Sequence, residues 1–133
     1  MYEFHGWFQL SESPKEIEFG EEKFDDLLKG VRDRVAEIDW ASGEAALKVF
    51  NGEHLLLVNG APNRRRDEER ELTELLEYVA RQLPGSWGLL YEQAEDMESP
   101  PGQGGYRVRV MARGEITVRL DPFLSPVQPV VED

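Results

Sequence analysis

Apolar residues recur along this chain at two spacings, and the switches between them mark its elements. Alternation opens it. In Tyr2-Glu3-Phe4-His5-Gly6-Trp7-Phe8-Gln9-Leu10, the residues Tyr2, Phe4, Phe8 and Leu10 share the core face of a strand, while Glu3, His5, Trp7 and Gln9 share the other. From Glu21 to Ile38 the spacing turns helical, with Phe24, Leu27, Leu28, Val31, Val35 and Ile38 on one stripe of an amphipathic helix. A second helix carries Leu72, Leu75, Leu76, Val79 and Leu83, and Pro84-Gly85 ends it. Between the helices, Asn51-Gly52 joins Leu47–Phe50 to His54–Val58 as a hairpin that pairs Val49 with His54 and Leu47 with Leu56. The second arm is apolar on both faces, which predicts an interior strand.

After the second helix, Trp87-Gly88-Leu89-Leu90-Tyr91 reads as a strand, followed by a loop from Glu92 to Gly105 rich in Glu, Asp, Pro and Gly. The last two strands alternate, predicting Tyr106, Val108 and Val110 inward on one and Ile116, Val118 and Leu120 inward on the other. Pairing Val110 with Ile116 requires a three-residue loop, Ala112-Arg113-Gly114, with Gly114 left-handed in a G1 bulge. That register sets Arg107 opposite Arg119 on the outer face, beside His5, Trp7, Gln9, Lys48, Phe50 and Arg109, and calls for a carboxylate nearby. The closing stretch Asp121–Asp133 holds Pro122, Pro126 and Pro129 among Phe123, Leu124, Val127, Val130 and Val131, so it is expected to run extended across the body of the domain. The whole is expected to be one domain, residues 1–133, of the α+β class. Its order is βαββαβ plus a C-terminal β-hairpin and extended tail, giving a mostly antiparallel sheet of about six strands with two helices on one face.

Charge narrows the partners. With 27 acidic against 15 basic residues, the net charge of −12 repels phosphate backbones and anionic membranes and favours encounters with basic surfaces. Nucleic acid and membrane are therefore not expected as ligands. The chain has no cysteine, which removes thiol catalysis and thiolate metal sites. No stretch approaches the ~20 apolar residues of a membrane span, and no secretory leader is recognisable, so a cytoplasmic protein is expected.

Little in the chain reads as catalysis. His5 stands on the outer face of the first strand and His54 beside a tight turn, and neither belongs to a metal-spaced pair. Pro84-Gly85-Ser86-Trp87-Gly88 lacks the glycine two before the serine, and the following helix, that a nucleophile elbow needs. Gly102-Gln103-Gly104-Gly105 precedes a strand, so it has no helix N-terminus to hold phosphate. Arg64-Arg65-Arg66 is followed at once by Asp67, Glu68, Glu69 and Glu71, so local neutralisation is expected, the alternative being an anchor for an acidic patch on a partner. No nucleophile, base and orienting partner assemble, so no enzyme, cofactor or metal is expected.

Two acidic groups remain. Asp25 and Asp26 lie near the first helix N-terminus, where the helix dipole alone favours them. Glu92, Glu95, Asp96 and Glu98 fall in the expected loop with no basic neighbour, which makes that cluster the better candidate for a basic partner.

Four segments together resemble the Immunity protein 7 family of bacterial polymorphic toxin systems. They are Tyr2-Glu3-Phe4-His5-Gly6-Trp7, Leu55–Gly60, Pro84–Tyr91 and Asp121-Pro122-Phe123-Leu124-Ser125-Pro126 through Glu132-Asp133. The resemblance spans nearly the whole chain and implies an α+β protein that binds a cognate toxin in the producing cell and blocks it. On that reading Glu92, Glu95, Asp96, Glu98, Asp25, Asp26, Trp7 and Arg107 are the candidate partner-binding residues, and the toxin domain is expected to be basic, such as a nuclease. The competing reading is a small-molecule or peptide binding module on the outer sheet face around Trp7 and Arg107.

Overall fold

The computed structural model describes residues 2–12, 21–40, 42–62, 66–94 and 106–121. Six strands and two helices follow in the order β1 (Tyr2–Gln9), α1 (Glu21–Glu37), β2 (Gly43–Phe50), β3 (Glu53–Gly60), α2 (Arg66–Gln82), β4 (Trp87–Ala94), β5 (Arg107–Ala112) and β6 (Glu115–Leu120). The strands form one antiparallel sheet in the order β2-β3-β1-β4-β5-β6. The α+β class, the two helices and the interior position of β3 all match the sequence reading. The expected path of residues 122–133 lies outside the described residues.

Both helices pack on one face. Phe4 and Phe8 of β1, Leu56 and Val58 of β3 and Leu90 of β4 meet Leu28 and Val31 of α1 and Leu72, Leu75, Leu76 and Val79 of α2 in a single buried core. Burying each such side chain stabilises by roughly 1.5–3 kcal/mol. The Arg34 guanidinium sits 4.1 Å from the centre of the Tyr78 ring and so joins α1 to α2. Trp40 Nε1–H donates to the Val35 carbonyl at 3.2 Å, a second donor beside the Ile38 N–H for this carbonyl of the last turn of α1. Phe4 lies across the paired Gly60 and Gly43, where a β-carbon on Gly60 would stand 2.5 Å from its ring. Only glycine admits that contact.

The last hairpin departs from expectation. Ala112 pairs with Glu115, Met111 with Ile116, Val110 with Thr117 and Val108 with Arg119, so the loop has two residues rather than three. Arg113 (φ 53°) and Gly114 (φ 77°) are both left-handed, as are Asn51 (φ 50°) and Gly52 (φ 80°) in the other hairpin. Two left-handed residues in sequence define the type I′ turn, whose twist suits a tight hairpin. The expected G1 bulge is therefore replaced by a second type I′ turn, and Arg107 faces Leu120 rather than Arg119.

This register turns β5 over. Leu90 pairs with Arg109 and Glu92 with Arg107, so Arg107, Arg109 and Met111 point to the helix side. Val108 and Val110 lie on the helix-free side, opposite to the sequence reading. Ile116, Val118 and Leu120 do face the helix side, yet Val118 and Leu120 remain mostly exposed because the edge strand runs beyond the core.

The turn gives a direct test. A left-handed arginine costs about 1 kcal/mol, whereas asparagine tolerates that conformation. Arg113→Asn should therefore stabilise the protein by about 0.5–1 kcal/mol in denaturant unfolding. Gly114→Val and Arg113→Val should both destabilise it, the former by about 1 kcal/mol more because glycine bears no left-handed cost in the parent whereas Arg113 already does.

Candidate functional site

The two faces of the sheet have opposite chemistry, beginning with a charge placed where no water reaches. Glu92 lies on the helix side of β4 with none of its surface exposed. A carboxylate there is tolerable only when fully hydrogen-bonded and paired. Arg109 supplies a bidentate fork, Nε to Oε2 at 2.8 Å and Nη2 to Oε1 at 2.5 Å. Arg107 Nε donates to Oε2 at 3.0 Å, and the Tyr2 hydroxyl donates to Oε1 at 2.5 Å.

The network continues into α2. Arg107 Nη2 and Arg109 Nη2 reach Glu69 Oε1 at 3.1 and 3.3 Å, and Arg109 Nη1 donates to Thr73 Oγ1 at 2.6 Å. Two guanidinium groups thus balance two carboxylates. Burial alone would raise the Glu92 pKa, but the hydrogen bonds and charge of Arg109, with those of Tyr2 and Arg107, hold it below the usual carboxylate range. Burial and the adjoining Glu92 carboxylate push the Tyr2 hydroxyl well up, so it stays a donor.

The helix-free face is aromatic. Trp7 stacks on Tyr91 with ring centres 6.2 Å apart and planes 19° from parallel, and Tyr106 meets Tyr91 edge-on at 6.1 Å. Trp7 lies between Leu57 of β3 and Leu89 of β4, while Gln9 lies between Leu55 and Trp87. Trp7 is 42% exposed and Trp87 52%. His5 Nε2 contacts Glu3 Oε1 at 2.8 Å and Nδ1 contacts Asn59 Oδ1 at 2.9 Å. Burial works against a charged imidazole, but these two bonds outweigh it and raise the His5 pKa. Tyr106 is pushed up to about 12 by burial and then by its hydrogen bond to Glu3.

Among the described residues no group of three or more His, Asp or Glu side chains is placed to hold a metal. On the helix-free face Trp7 and Trp87 are exposed, Leu55, Leu57, Leu89 and Tyr91 half-buried, and Tyr106 and Val108 buried. The family model described as Immunity protein 7 matches residues 1–133. The chain belongs to the Immunity protein 7 family. No curated protein and no solved structure matches it. Membership of an immunity family means neutralising a toxin, by inhibition rather than catalysis. No described helix of this immunity protein is long and apolar enough to cross a membrane.

The described candidate residues of the immunity protein do not form one site. Trp7 stands on the helix-free face as expected, and Asp25 and Asp26 are exposed on α1. Arg107 is corrected to the helix side, where Glu92 and Glu69 engage it. Glu92 is corrected from loop to strand: β4 runs on to Ala94, and a fully buried carboxylate has no surface to offer a partner. Glu95, Asp96 and Glu98 lie outside the described residues. Trp87, Tyr91 and Leu89 complete the surface around Trp7, and their alternation along β4 was the available signal.

Glu92 makes the stability of the protein pH-dependent with a definite sign. Its folded pKa is lowered, so its contribution is present above the unfolded value of about 4.3 and is lost as the pH falls through the folded value. Glu92→Gln should cost about 3 kcal/mol at neutral pH, because it leaves the buried Arg109 and the half-buried Arg107 underpaired. The gap between variant and parent should narrow on acidification below about pH 4 in urea melts.

Proposed function

We propose that this immunity protein binds its cognate toxin domain stoichiometrically inside the producing cell, with the helix-free face of the sheet as the packed contact and net negative charge steering a basic toxin, such as a nuclease, toward it. The observation that carries this reading is the pair of exposed tryptophans, Trp7 and Trp87, on a face that neither helix covers. Large exposed aromatics on a rigid sheet lose little entropy on binding and are the residue types that dominate interface energies. A charge of −12 adds attraction at range, which raises association rates more than it slows dissociation.

The two contributions separate in kinetics. Trp7→Ala and Trp87→Ala should each weaken binding of the neighbouring gene's toxin domain by roughly 30-fold, chiefly through faster dissociation. Neutralising Asp25, Asp26, Glu95, Asp96 and Glu98 to their amides should slow association and flatten its salt dependence while leaving dissociation nearly unchanged. Unchanged dissociation in both tryptophan variants would place the contact elsewhere. A toxin that never binds, with a small ligand retained on the Trp7 surface, would favour the binding-module reading instead.

A further inference from the structure

The sheet has two outer strands, β2 and β6, and a helix packs on one face of each, α1 on β2 and α2 on β6. Among the described residues β6 has a neighbour on one side only, β5. Its Val118 is 61% exposed and its Leu120 54%, both on the helix side, where Val118 lines a groove with Glu69, Thr73 and Glu77 of α2. The strand contains no proline and no lysine, the usual devices that stop an edge from pairing.

Its hydrogen-bonding parity is fixed by the turn. In a two-residue hairpin the residues flanking the loop, Ala112 and Glu115, form a hydrogen-bonded pair, and such pairs recur at every second residue. Glu115, Thr117 and Arg119 therefore spend their backbone groups on β5. Ile116, Val118 and Leu120 direct theirs to the open edge.

The sequence Glu115-Ile116-Thr117-Val118-Arg119 is complementary to itself when run antiparallel about Thr117. From this we propose that two copies of the chain pair through β6 about a two-fold axis at Thr117, extending the sheet continuously from one copy into the next. In that register Ile116 faces the partner's Val118 in the hydrogen-bonded positions, so each exchanges both backbone bonds across the axis. On the helix-free side Glu115 faces the partner's Arg119, and Arg119 the partner's Glu115, in the closely spaced non-hydrogen-bonded positions. The alternative register, centred on Val118, sets Glu115 against the partner's Asp121 and is disfavoured by like charge.

The opposite edge differs where it matters. Glu44 and Lys48 flank Ala46 with the same spacing, but Ala45, Ala46 and Leu47 at the centre of that strand are half-buried. Pairing there gains little apolar burial at the strand centre. At β6 the exposed Val118 lies beside the axis, whereas the exposed Val49 and Phe50 of β2 lie next to its turn, away from Ala46.

A six-residue strand is smaller than the ~1,200 Å² of a standard stable interface, so the dimer is weak. Two copies of charge −12 repel, so raising salt from about 0.01 M to about 0.15 M, which shortens the Debye length from about 30 to about 8 Å, should strengthen it. Toxin binding should respond to salt in the opposite direction.

Thr117→Cys in this cysteine-free chain should form an intermolecular disulfide under mild oxidation, because opposed non-hydrogen-bonded positions lie about 4.5 Å apart at Cα. Ala46→Cys serves as the control and should cross-link at least 10-fold more slowly. Glu115→Arg and Arg119→Glu should each weaken self-association about 10-fold in sedimentation equilibrium, and the two variants mixed should form a heterodimer. The double exchange in one chain should restore the parent affinity.

Cross-linking of Thr117→Cys no faster than the control overturns the proposal, and so does failure of the two charge variants to pair. Amide exchange identifies any other occupant of the edge. Protection of Ile116 and Val118 in dilute monomer assigns the edge to the chain's own residues, and protection only after toxin is added assigns it to the toxin. Either result removes the dimer.

Discussion

The arrangement turns on one carboxylate placed in the wrong medium. Glu92 occupies an inward position of a central strand, and a charge there must meet cations without help from water. The two arginines that meet it come from the next strand at the same parity, so the phase of β5 follows from Glu92. The tyrosine comes from β1 and the second carboxylate from α2. Four elements are thereby fixed relative to one another by groups whose geometry is planar and directional. Apolar packing alone would hold α2 against the sheet with far less control over where along β5 it rests. A fully apolar replacement of such a cluster is often as stable, so what the cluster adds is position.

Much of the fold is legible in the sequence because its signals are local and agree with one another. The helical stripes, the Asn51-Gly52 turn and the alternation of β1 each specify an element without knowledge of its neighbours. The phase of β5 is different. Arg107-Val108-Arg109-Val110 alternates as well inward as outward, and the apolar choice is the natural one when each strand is read alone. Two residues carry the contrary signal. Met111, next to the turn, belongs with Ile116 once Arg113-Gly114 is counted as the same left-handed pair as Asn51-Gly52. Glu92 follows Leu90 by two and so shares its inward face, which demands cations opposite. Reading arginine as outward and glutamate as loop were one error made twice, since each residue is buried only because the other is.

The candidate surface was partly legible for the same reason. Trp7 announces itself by alternation in β1, but its companions Tyr91 and Trp87 come from a strand whose place beside β1 no local pattern gives. Strand order is a long-range property. The small backbone of Gly88, paired with Phe8, permits the close approach of β4 to β1 that sets the stack.

An inhibitor performs no chemistry, so its affinity depends on how little its surface must reorganise on binding. The two faces are linked on this point. Tyr91, on which Trp7 rests, and Glu92, which the arginines hold, are successive residues of β4 and project to opposite sides. Anchoring Glu92 from below limits the motion of the backbone that presents Tyr91 above. The buried ion pair and the aromatic stack therefore share one stretch of backbone: the polar cluster on the helix side holds the strand whose other side carries the rings.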